Sequence, residues 1–439
     1  MVENICALKK IKKFENNSQD IIFGDFPYAL GSSVYIDLKD GKPKFKNAKD
    51  FQNKWDMPDH KFWEEFFKEC NRVLKHGGRV LAYGIDRQLM LFNYYAVAAG
   101  LEIQQSLYWY FIQNFPKSVD LSKQIDKKLG NIRETIPGSK LRSKYEGYKY
   151  SISPLKQSLE TIMVFQKPTK TNSLINDFIL FSKGDISISP NIWNIDNNRT
   201  PVKDKEYLNN FRLGHIMNSS NTLNLNIQNS TSTPHENGRY PSQLFCSNLA
   251  ANNLDQQSGI LKSGGMKKGQ IKNNNTTNSN TFNKYNCIAN EKETKHSKGG
   301  CSKILHKIEY LEEELSLLHY NAKVSKNERN FGLDEENKHP TLKPIDLNKK
   351  IALLLKSPHE QKVFFPFAGT ASEIIGFEKA GFDFNNFEAS EISNDDTKIA
   401  NQRILVYRSN LYCNQKHEKT NIAEVKEQYL QEKNLFDFV

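Results

Sequence analysis

The sequence predicts an α/β fold: a mostly parallel sheet flanked by helices, with a large inserted region. Two observations predict it. Helix-like and strand-like segments alternate between about residues 20 and 170, and they alternate again from residue 339 onward. The stretch between them, from about residue 190, is rich in asparagine, serine and threonine and poor in apolar residues. The two ends of the chain are therefore expected to build one domain together.

The first predicted strand is the apolar run IIFG, which ends in a turn at Asp25–Tyr28. The segment 62–75 carries apolar residues at helical spacing, and His76-Gly77-Gly78 is expected to end that helix. RVLAYGI is the next expected strand, LMLFNYYAVAAG an apolar helix, and LEIQQSLYWYFIQ either one long strand or a strand pair. TIMVFQK, residues 161–167, is a further short strand.

The alternation resumes at residue 339. HPTLKP predicts a turn that leads into a helix, KVFFPFAG a buried strand ending in a loop, ASEIIGFEKAG a helix and NFEASEI a second strand. A strand, a glycine-containing loop, a helix and a strand with an acid at its end form the layout of a nucleotide-type pocket. The loop Phe367–Ser372 is placed at a helix N-terminus, where its amides can face a ligand. Glu391, about 20 residues further on, is placed to accept both hydroxyls of a ribose.

The middle of the chain predicts less regular structure. The asparagine-rich stretch near residues 266–300 predicts a flexible insertion, with a variable recognition region as the alternative. The segment 304–320 predicts an amphipathic helix whose apolar stripe packs against its own domain. The lysine-rich tail from about residue 414 predicts a solvated helix with a frayed end, with contact to a DNA backbone as the alternative.

The composition excludes several classes of protein. Of 439 residues, 38% are hydrophobic, which excludes a wholly disordered chain. No apolar run approaches the roughly 18 residues of a membrane helix, and the N-terminus lacks the apolar stretch of a signal peptide, so we expect a cytoplasmic protein without membrane contact. The six cysteines have no short repeated spacing and predict free thiols. No metal site is expected, because the spacing of Cys287, His296, Cys301 and His306 fits no compact zinc finger.

The charge balance is basic. Lysine and arginine number 61 against 50 acids, a net charge of +11. Such an excess suits nucleic acid, because each phosphate that is neutralised releases a counterion. Coding by an AT-rich genome, which favours lysine and asparagine codons, explains the same excess without any function. From charge alone, both interpretations remain open.

The tetrapeptide Asp25-Phe26-Pro27-Tyr28 places three useful groups at one strand end. They are a carboxylate, a backbone carbonyl fixed by the following proline, and an aromatic ring. The two acceptors can take the hydrogens of an exocyclic amine while the ring stacks on the base. Drawing off those hydrogens keeps the nitrogen lone pair available for attack. An ordinary turn is the alternative for this tetrapeptide on its own.

Together with the C-terminal motifs, the tetrapeptide gives the chain a family likeness. The chain resembles the β-class, phage-type family of site-specific DNA amino-methyltransferases, which act on adenine N6 or cytosine N4. That family places D-P-P-Y early, a recognition region next and the cofactor motifs late. Here DFPY occupies 25–28, HPTLKP 339–344 and FPFAGTAS 365–372, the last similar to D-P-F-x-G-S-G-T. EISNDDTKIANQR is similar to E-x-x-x-x-Y-x-x-I-A-x-x-R, and the resemblance covers most of residues 18–410 outside the asparagine-rich insertion.

The resemblance implies a Rossmann-like methyltransferase sheet with an inserted target-recognition region. It implies S-adenosyl-L-methionine as the cofactor and double-stranded DNA as the partner. The implied division is a catalytic half at 18–190, the recognition region at 191–335, a cofactor-binding half at 336–410 and a tail at 411–439.

The resemblance also implies roles for matching residues. The implied catalytic residues are Asp25, Phe26, Pro27 and Tyr28, where the Asp25 carboxylate and the Phe26 carbonyl hold the amine and Tyr28 stacks on a flipped base. Thr341 and Lys343 would border the methionine end of the cofactor. The other implied cofactor-binding residues are Phe365, Pro366, Phe367, Ala368, Gly369, Thr370 and Glu391, the last on the ribose.

Three departures from the family pattern bear on activity: Phe26 replaces the first proline, Phe365 the acid that opens the cofactor motif, and Ala371 its second glycine. Thr370 replaces a serine, which is a mild change, and Asp396 stands where the family has tyrosine. The predicted reaction is methyl transfer to adenine N6 in a short duplex site, because DxPY differs from the Ser-Pro-Pro type associated with cytosine N4. Cytosine N4 methylation and a catalytically inactive DNA-binding remnant are the alternatives. Any restriction endonuclease is expected as a separate chain, and both a monomer and a homodimer are compatible with the sequence.

Overall fold

The structure, a computed structural model, describes residues 1–28, 32–37, 39–47, 58–111, 117–128, 145–153, 155, 157–190, 192–200, 240–263, 297–308, 324, 326–333, 335–337, 339 and 342–416. The chain divides into two compact units, residues 1–193 with 308–439 and residues 194–307. Both ends of the chain therefore belong to the larger unit, and the smaller unit is a single insertion in the sequence.

The strands fall in all parts of the described chain. They are β1 Glu3–Asn4, β2 Gln19–Asp25, β3 Ser32–Ile36, β4 Pro43–Asn47, β5 Leu74–Gly84, β6 Glu102–Ile103, β7 Leu107–Tyr110, β8 Lys117–Asp120, β9 Lys149–Ser153, β10 Leu159–Gln166, β11 Leu244–Ser247, β12 Leu261–Ser263, β13 Ser297–Gly299, β14 His306–Ile308, β15 Val363–Phe365 and β16 Phe387–Glu391. Two antiparallel hairpin-like pairs, β3 with β4 and β8 with β9, lie off the main sheet of the larger unit.

The helices alternate with the strands of the main sheet. They are α1 Ala7–Ile11, α2 His60–Val73, α3 Asp86–Ala98, α4 Leu121–Lys128, α5 Leu174–Ser182, α6 Asn248–Ser258, α7 Lys326–Arg329, α8 Ile345–Leu355, α9 Ser372–Lys379 and α10 Asn394–Lys416. Short 3-10 turns occur at Asp196–Asn198, Cys301–Ile304 and Phe384–Asn386. None of the helices in the described ranges combines the length and apolar character that a membrane crossing requires.

The main sheet of the larger unit is mostly parallel, which confirms the predicted fold class. Its strand order is β1-β16-β15-β2-β5-β10-β7, and β6 pairs with β10. Neighbours from β1 to β5 are parallel, whereas β10 is antiparallel to β5, β6 and β7. Because β2, β15 and β16 run in the same direction, their carboxyl ends meet at one edge of the sheet. This edge brings the DFPY and FPFAGTAS motifs together from opposite ends of the chain.

The start of β5 differs from the prediction. His76-Gly77-Gly78 was expected to end a helix, but α2 already ends at Val73 and these residues belong to β5. The His76 N–H donates to the Ser187 carbonyl at 2.9 Å, and the Ser189 N–H donates back to the His76 carbonyl at 2.8 Å. Gly77 has φ +83°, and a Cβ there would lie 2.5 Å from the Ser189 carbonyl oxygen. The glycine therefore permits a close strand contact instead of a helix stop.

Two other predictions need correction or completion. The predicted helix 304–320 is wrong at its start, because residues 301–304 form a 3-10 turn and 306–308 form β14; residues 309–320 lie outside the described residues. LEIQQSLYWYFIQ contains two strands, β6 and β7, instead of one long strand, and each of them pairs with β10. Residues 266–296 of the asparagine-rich stretch and the tail beyond residue 416 lie outside the described residues, whereas Ser297–Gly299 at the end of that stretch form β13. Helix α10 continues past residue 410, where the tail was expected to begin, and reaches Lys416.

Aromatic packing beneath the sheet edge fixes the position of β2. The Phe26 ring is buried and stacks on Trp63 of α2, with centroids 6.0 Å apart and an interplanar angle of 12°. It also contacts Phe92 of α3 at 5.6 Å and Phe367 at 5.0 Å. Burying each such ring contributes about 1.5–3 kcal/mol. This aromatic cluster holds the end of β2 against α2, α3 and the loop that follows β15.

The smaller unit is tied together through Asp255. In α6, Ser247 caps the helix by accepting from the Ala250 N–H at 3.2 Å. Asp255, on the same helix, accepts the Ser302 N–H at 2.7 Å and the Ser302 hydroxyl at 2.5 Å. The 3-10 turn is therefore fixed to α6. β12 and β13 pair antiparallel, with Lys262 opposite Lys298.

Candidate cofactor and catalytic site

A cavity of about 270 Å³ lies at the carboxyl ends of β2, β15 and β16. The predicted residues that line it are Asp25, Pro27, Lys343, Pro366, Phe367, Ala368, Gly369, Thr370 and Glu391. Three predicted residues, Phe26, Tyr28 and Phe365, are buried beside it and do not line it. Thr341 lies outside the described residues. The catalytic and cofactor motifs of the sequence thus converge on one cavity.

The cavity also has walls that the sequence did not reveal. They are Cys6, Ala7, Pro58, Phe62, His339, Leu342, Glu373, Ile392, Ser393 and Asp396; Ser372, the end of the predicted ligand-facing loop, lines the cavity as well. His339 and Glu373 carried a signal, since one belongs to HPTLKP and the other follows the glycine-containing loop directly. Cys6 and Ala7 carried none, because they precede the stretch that resembles the family.

Lys343 holds one oxygen of the predicted catalytic acid. Its Nζ lies 2.6 Å from Asp25 Oδ2 and 3.1 Å from Glu160 Oε1. Burial alone lowers the pKa of Lys343, but the Asp25 and Glu160 carboxylates outweigh it and the pKa is raised. Lys343 therefore stays charged and forms a strong, charge-assisted hydrogen bond to Asp25. The structure thus places this lysine on the predicted catalytic acid, whereas the resemblance implied a place at the methionine end of the cofactor.

Tyr28 belongs to the same buried cluster. Its hydroxyl donates to Glu160 and accepts from Lys343, whose Nζ also lies 5.0 Å from the centre of the Tyr28 ring. Burial, followed by the neighbouring Asp25 and Glu160 carboxylates, raises the pKa of Tyr28 well above its ordinary value. The phenol therefore remains protonated and acts as a donor.

The second oxygen of Asp25 is available to a ligand. Asp25 Oδ1 is buried and makes no hydrogen bond within the described residues, while Oδ2 is held by Lys343. A buried acceptor without a donor is unfavourable by about 1–3 kcal/mol. Because Asp25 lines the cavity, a donor on a bound molecule can relieve that cost.

The loop after β15 brings backbone donors to Glu391. The Gly369 N–H donates to Glu391 Oε2 at 2.9 Å, and the Ser393 N–H donates to Oε1 at 2.9 Å. Burial raises the pKa of Glu391, and these two hydrogen bonds oppose the rise. Gly369 has φ +48°, and a Cβ there would lie 3.3 Å from His339 Nε2. The loop backbone at Gly369 therefore runs close to His339, and its N–H group orients the Glu391 carboxylate at the end of β16.

Arg403 of α10 ties this loop to the rest of the unit. Its buried guanidinium donates to the Thr370 carbonyl, to Thr370 Oγ1 at 3.1 Å and to the Glu328 carbonyl at 3.0 Å. Asn337 Nδ2 donates to the same Thr370 hydroxyl at 3.2 Å. Burial lowers the pKa of Arg403 to about 10, so the group remains charged at neutral pH. The arginine of the EISNDDTKIANQR stretch is thus a support for the loop.

Glu373 presents a second acid to the cavity. It lies in the first turn of α9 and is 5% exposed. Burial, followed by the charge of Asp25, raises its pKa to about 7. Burial lowers the pKa of His339, another residue of the cavity wall, so its imidazole is neutral at pH 7.

Two departures from the family pattern are absorbed by packing. Phe26 lies in the aromatic cluster around Trp63, and Phe365 packs between Phe377 and Phe387 with ring centroids 5.2 Å from each. Neither side chain enters the cavity. The substitutions therefore change the core beneath the site and leave its opening clear.

The N-terminal segment closes one side of the cavity. β1 pairs parallel with β16, and the Ile5 N–H donates to the Glu391 carbonyl at 3.0 Å. The Asn4 side chain donates to the carbonyls of Glu391 and Ile392, each at 3.1 Å. These contacts bring Cys6 and Ala7 to the cavity wall.

Comparison with known proteins identifies the family. Residues 19–391 match the model of a DNA methylase family, N6_N4_Mtase. The chain belongs to this family. S-adenosylmethionine is the cofactor of the family, as the resemblance implied. The predicted catalytic tetrapeptide and the loop after β15 both fall within the matched residues.

Individual relatives are distant. A stretch of 125 residues is 28% identical to the type II methyltransferase M.HpaI of Haemophilus parainfluenzae and covers 28% of this chain but only 36% of that relative. The M1.HpyAVI complex with S-adenosylmethionine is 11% identical, with a TM-score of 0.34 over 92% of this chain and 98% of its own. The cytosine-N4-specific PvuII DNA methyltransferase is 11% identical, with a TM-score of 0.37 over 93% of each chain.

Proposed function

We propose that this protein transfers a methyl group from S-adenosylmethionine to adenine N6 within a short duplex DNA site. The observation that supports it best is Asp25 Oδ1, a buried acceptor that lines the cavity and has no partner among the described residues. An exocyclic amine supplies the N–H that this oxygen lacks. Membership of the N6/N4 methylase family narrows the target to an exocyclic amine of adenine or cytosine.

The residues that line the cavity suit this cofactor. S-adenosylmethionine supplies an electrophilic methyl group on its sulfonium. Glu391, at the end of β16, is the acid for the ribose hydroxyls, and the Gly369 N–H bond holds its carboxylate in place. Phe367, Ala368 and Thr370 line the same wall, so the loop after β15 is expected to hold the cofactor against the DFPY residues.

The chain's contribution to the reaction is mainly positioning. Asp25 Oδ1 and the Phe26 carbonyl accept the two amine hydrogens and direct the nitrogen lone pair into the cavity. Lys343 holds the Asp25 carboxylate in place through Oδ2. Tyr28 lies buried beside the cavity with its hydroxyl held by Glu160, so its ring has to become accessible before it stacks on a base extruded from the duplex. No covalent bond between base and protein is required, because placing the amine against the methyl group lowers the barrier.

DNA is the proposed macromolecular substrate, and the smaller unit the proposed recognition region. The net charge of +11 suits contact with phosphates. Residues 194–307 fall within the expected recognition region 191–335 and separate the two halves of the catalytic unit in sequence. In this arrangement phosphate contacts position the duplex, and base contacts from the inserted region set the sequence choice.

Two other outcomes stand beside adenine methylation. Cytosine N4 methylation uses the same cavity and the same Asp25 acceptor, and DxPY favours adenine. An inactive remnant was suggested by Phe26 and Phe365, but both rings are buried in aromatic packing and leave the cavity open. The intact cavity therefore favours an active enzyme.

The test uses purified full-length protein, unmethylated duplex DNA and labelled S-adenosylmethionine, followed by mass analysis of nucleosides. We expect N6-methyladenine from the wild type and a loss of at least about 100-fold in Asp25→Ala. Asp395→Ala, which removes an exposed carboxylate of α10 outside the cavity, is the matched control and should methylate normally. N4-methylcytosine would overturn the base assignment. Absence of transfer together with absence of cofactor binding would favour the inactive remnant.

A further inference from the structure

Glu373 is a buried carboxyl without a cationic partner. It lines the cavity and is 5% exposed, and within the described residues no lysine or arginine forms an ion pair with it. The nearest cations are committed elsewhere: Lys343 pairs with Asp25 and Glu160, and Arg403 donates to Thr370 and Glu328. A buried carboxylate in this state is costly unless a cation reaches it.

The other acids of the cavity are already engaged or solvated. Asp25 is paired with Lys343, and Glu391 accepts two backbone N–H groups. Asp396 is only partly buried, so water can solvate it. Phe365, at the position where the family motif has an acid, contributes no charge to the cavity. Glu373 is therefore the acid best placed to meet a positive group on a bound molecule.

The cofactor brings such a group. The methionine end of S-adenosylmethionine carries an α-ammonium, and the proposed ribose contact at Glu391 and transfer site at Asp25 leave this end within the same cavity. We propose that Glu373 binds the α-ammonium of the cofactor. This inference rests on the proposed function. The ammonium would also restore the ionised form of the carboxyl, whose pKa burial raises to about 7.

The test measures binding and does not require turnover. S-adenosylhomocysteine keeps the amino-acid end, whereas 5′-methylthioadenosine lacks it, so calorimetric titration with both separates the ammonium contact from the nucleoside contacts. Glu373→Gln should bind S-adenosylhomocysteine about tenfold or more weakly, the scale of a lost charge-assisted contact, and bind methylthioadenosine as the wild type does. Glu360→Gln, which removes an exposed carboxylate outside the cavity, is the matched control.

Each outcome decides the matter. Unchanged binding of S-adenosylhomocysteine by Glu373→Gln overturns the assignment. An equal loss for both compounds also overturns it, because it indicates a structural role. Glu373→Asp keeps the charge and should recover part of the lost affinity, which guards against a variant that merely folds poorly. If the wild type binds neither compound, the cofactor site and the proposed function fall together with the role of Glu373.

Discussion

Single residues decide how far this chain tolerates its departures from the family pattern. Phe26 and Phe365 are accommodated because their rings fill an aromatic core. Ala371 is different. It has φ +68°, in the left-handed region, and is fully buried at the start of α9. Its N–H still donates to the Ala368 carbonyl at 2.8 Å, so the loop keeps its turn at the cost of backbone strain.

We predict opposite tolerances for two changes at Ala371. Ala371→Gly relieves about 1–2 kcal/mol of left-handed strain but loses a buried methyl, about 0.8 kcal/mol, and gains unfolded-state entropy, about 0.5–1 kcal/mol. These terms offset, so the unfolding free energy should stay within about 1 kcal/mol of the wild type. Ala371→Val adds a β-branched side chain to a buried left-handed position and should destabilise by more than about 2 kcal/mol.

Urea unfolding measures both changes at Ala371. Ala98→Val, at the exposed and right-handed end of α3, serves as the control and should cost no more than about 0.7 kcal/mol. A well-tolerated Ala371→Val would mean that the loop does not hold a left-handed residue in solution.

At the scale of elements, the segment leading into α8 connects the predicted cofactor side of the cavity to the predicted catalytic side. Lys343 precedes this helix and reaches across to β2 and β10 through Asp25 and Glu160. Tyr83 of β5 adds a second ring 5.0 Å from the ammonium and donates to Asn348 of α8 at 2.7 Å. Four elements therefore share one buried ionic cluster, and their relative positions depend on it.

This cluster predicts strong coupling between Lys343 and Glu160. Lys343→Met leaves two carboxyls without a cation and should destabilise by about 3–5 kcal/mol. Glu160→Gln keeps the Lys343–Asp25 pair and should cost less, about 1–3 kcal/mol. In the double variant a single carboxyl loses its cation, so the combined loss should fall short of the sum by about 0.5–3 kcal/mol.

Unfolding free energies of the two single variants, the double variant and the wild type give the coupling energy between Lys343 and Glu160. Lys350→Met, which breaks a half-exposed pair with Asp346 on α8, is the control and should cost at most about 0.5 kcal/mol. Simple additivity for Lys343 and Glu160 would show that the two side chains do not interact in solution.

At the scale of the whole molecule, sequence periodicity and motif order were enough to predict the mostly parallel sheet and the position of two acids at its edge. Asp25 and Glu391 stand at strand ends, and parallel strands bring such ends together. The sequence did not show that Lys343 pairs with Asp25, because that contact joins residues 318 positions apart through side chains alone. The role of β1 was also hidden, since a strand of two residues has no periodicity to detect.

The proposed DNA contact of the smaller unit makes a quantitative prediction. β12 and β13 place Lys262 opposite Lys298 in the register, so two positive residues occupy paired positions in that unit. If both lysines contact phosphates, the slope of log K against log salt for duplex binding should become shallower by about 2 in the double variant Lys262→Ala/Lys298→Ala.

The double variant Lys13→Ala/Lys398→Ala removes the same charge from exposed positions of the larger unit and should change the slope by less than half as much. Binding of S-adenosylhomocysteine should be unchanged in both variants, because every described residue that lines the cavity belongs to the larger unit. A slope for Lys262→Ala/Lys298→Ala equal to that of the wild type would mean that these two lysines make no phosphate contacts.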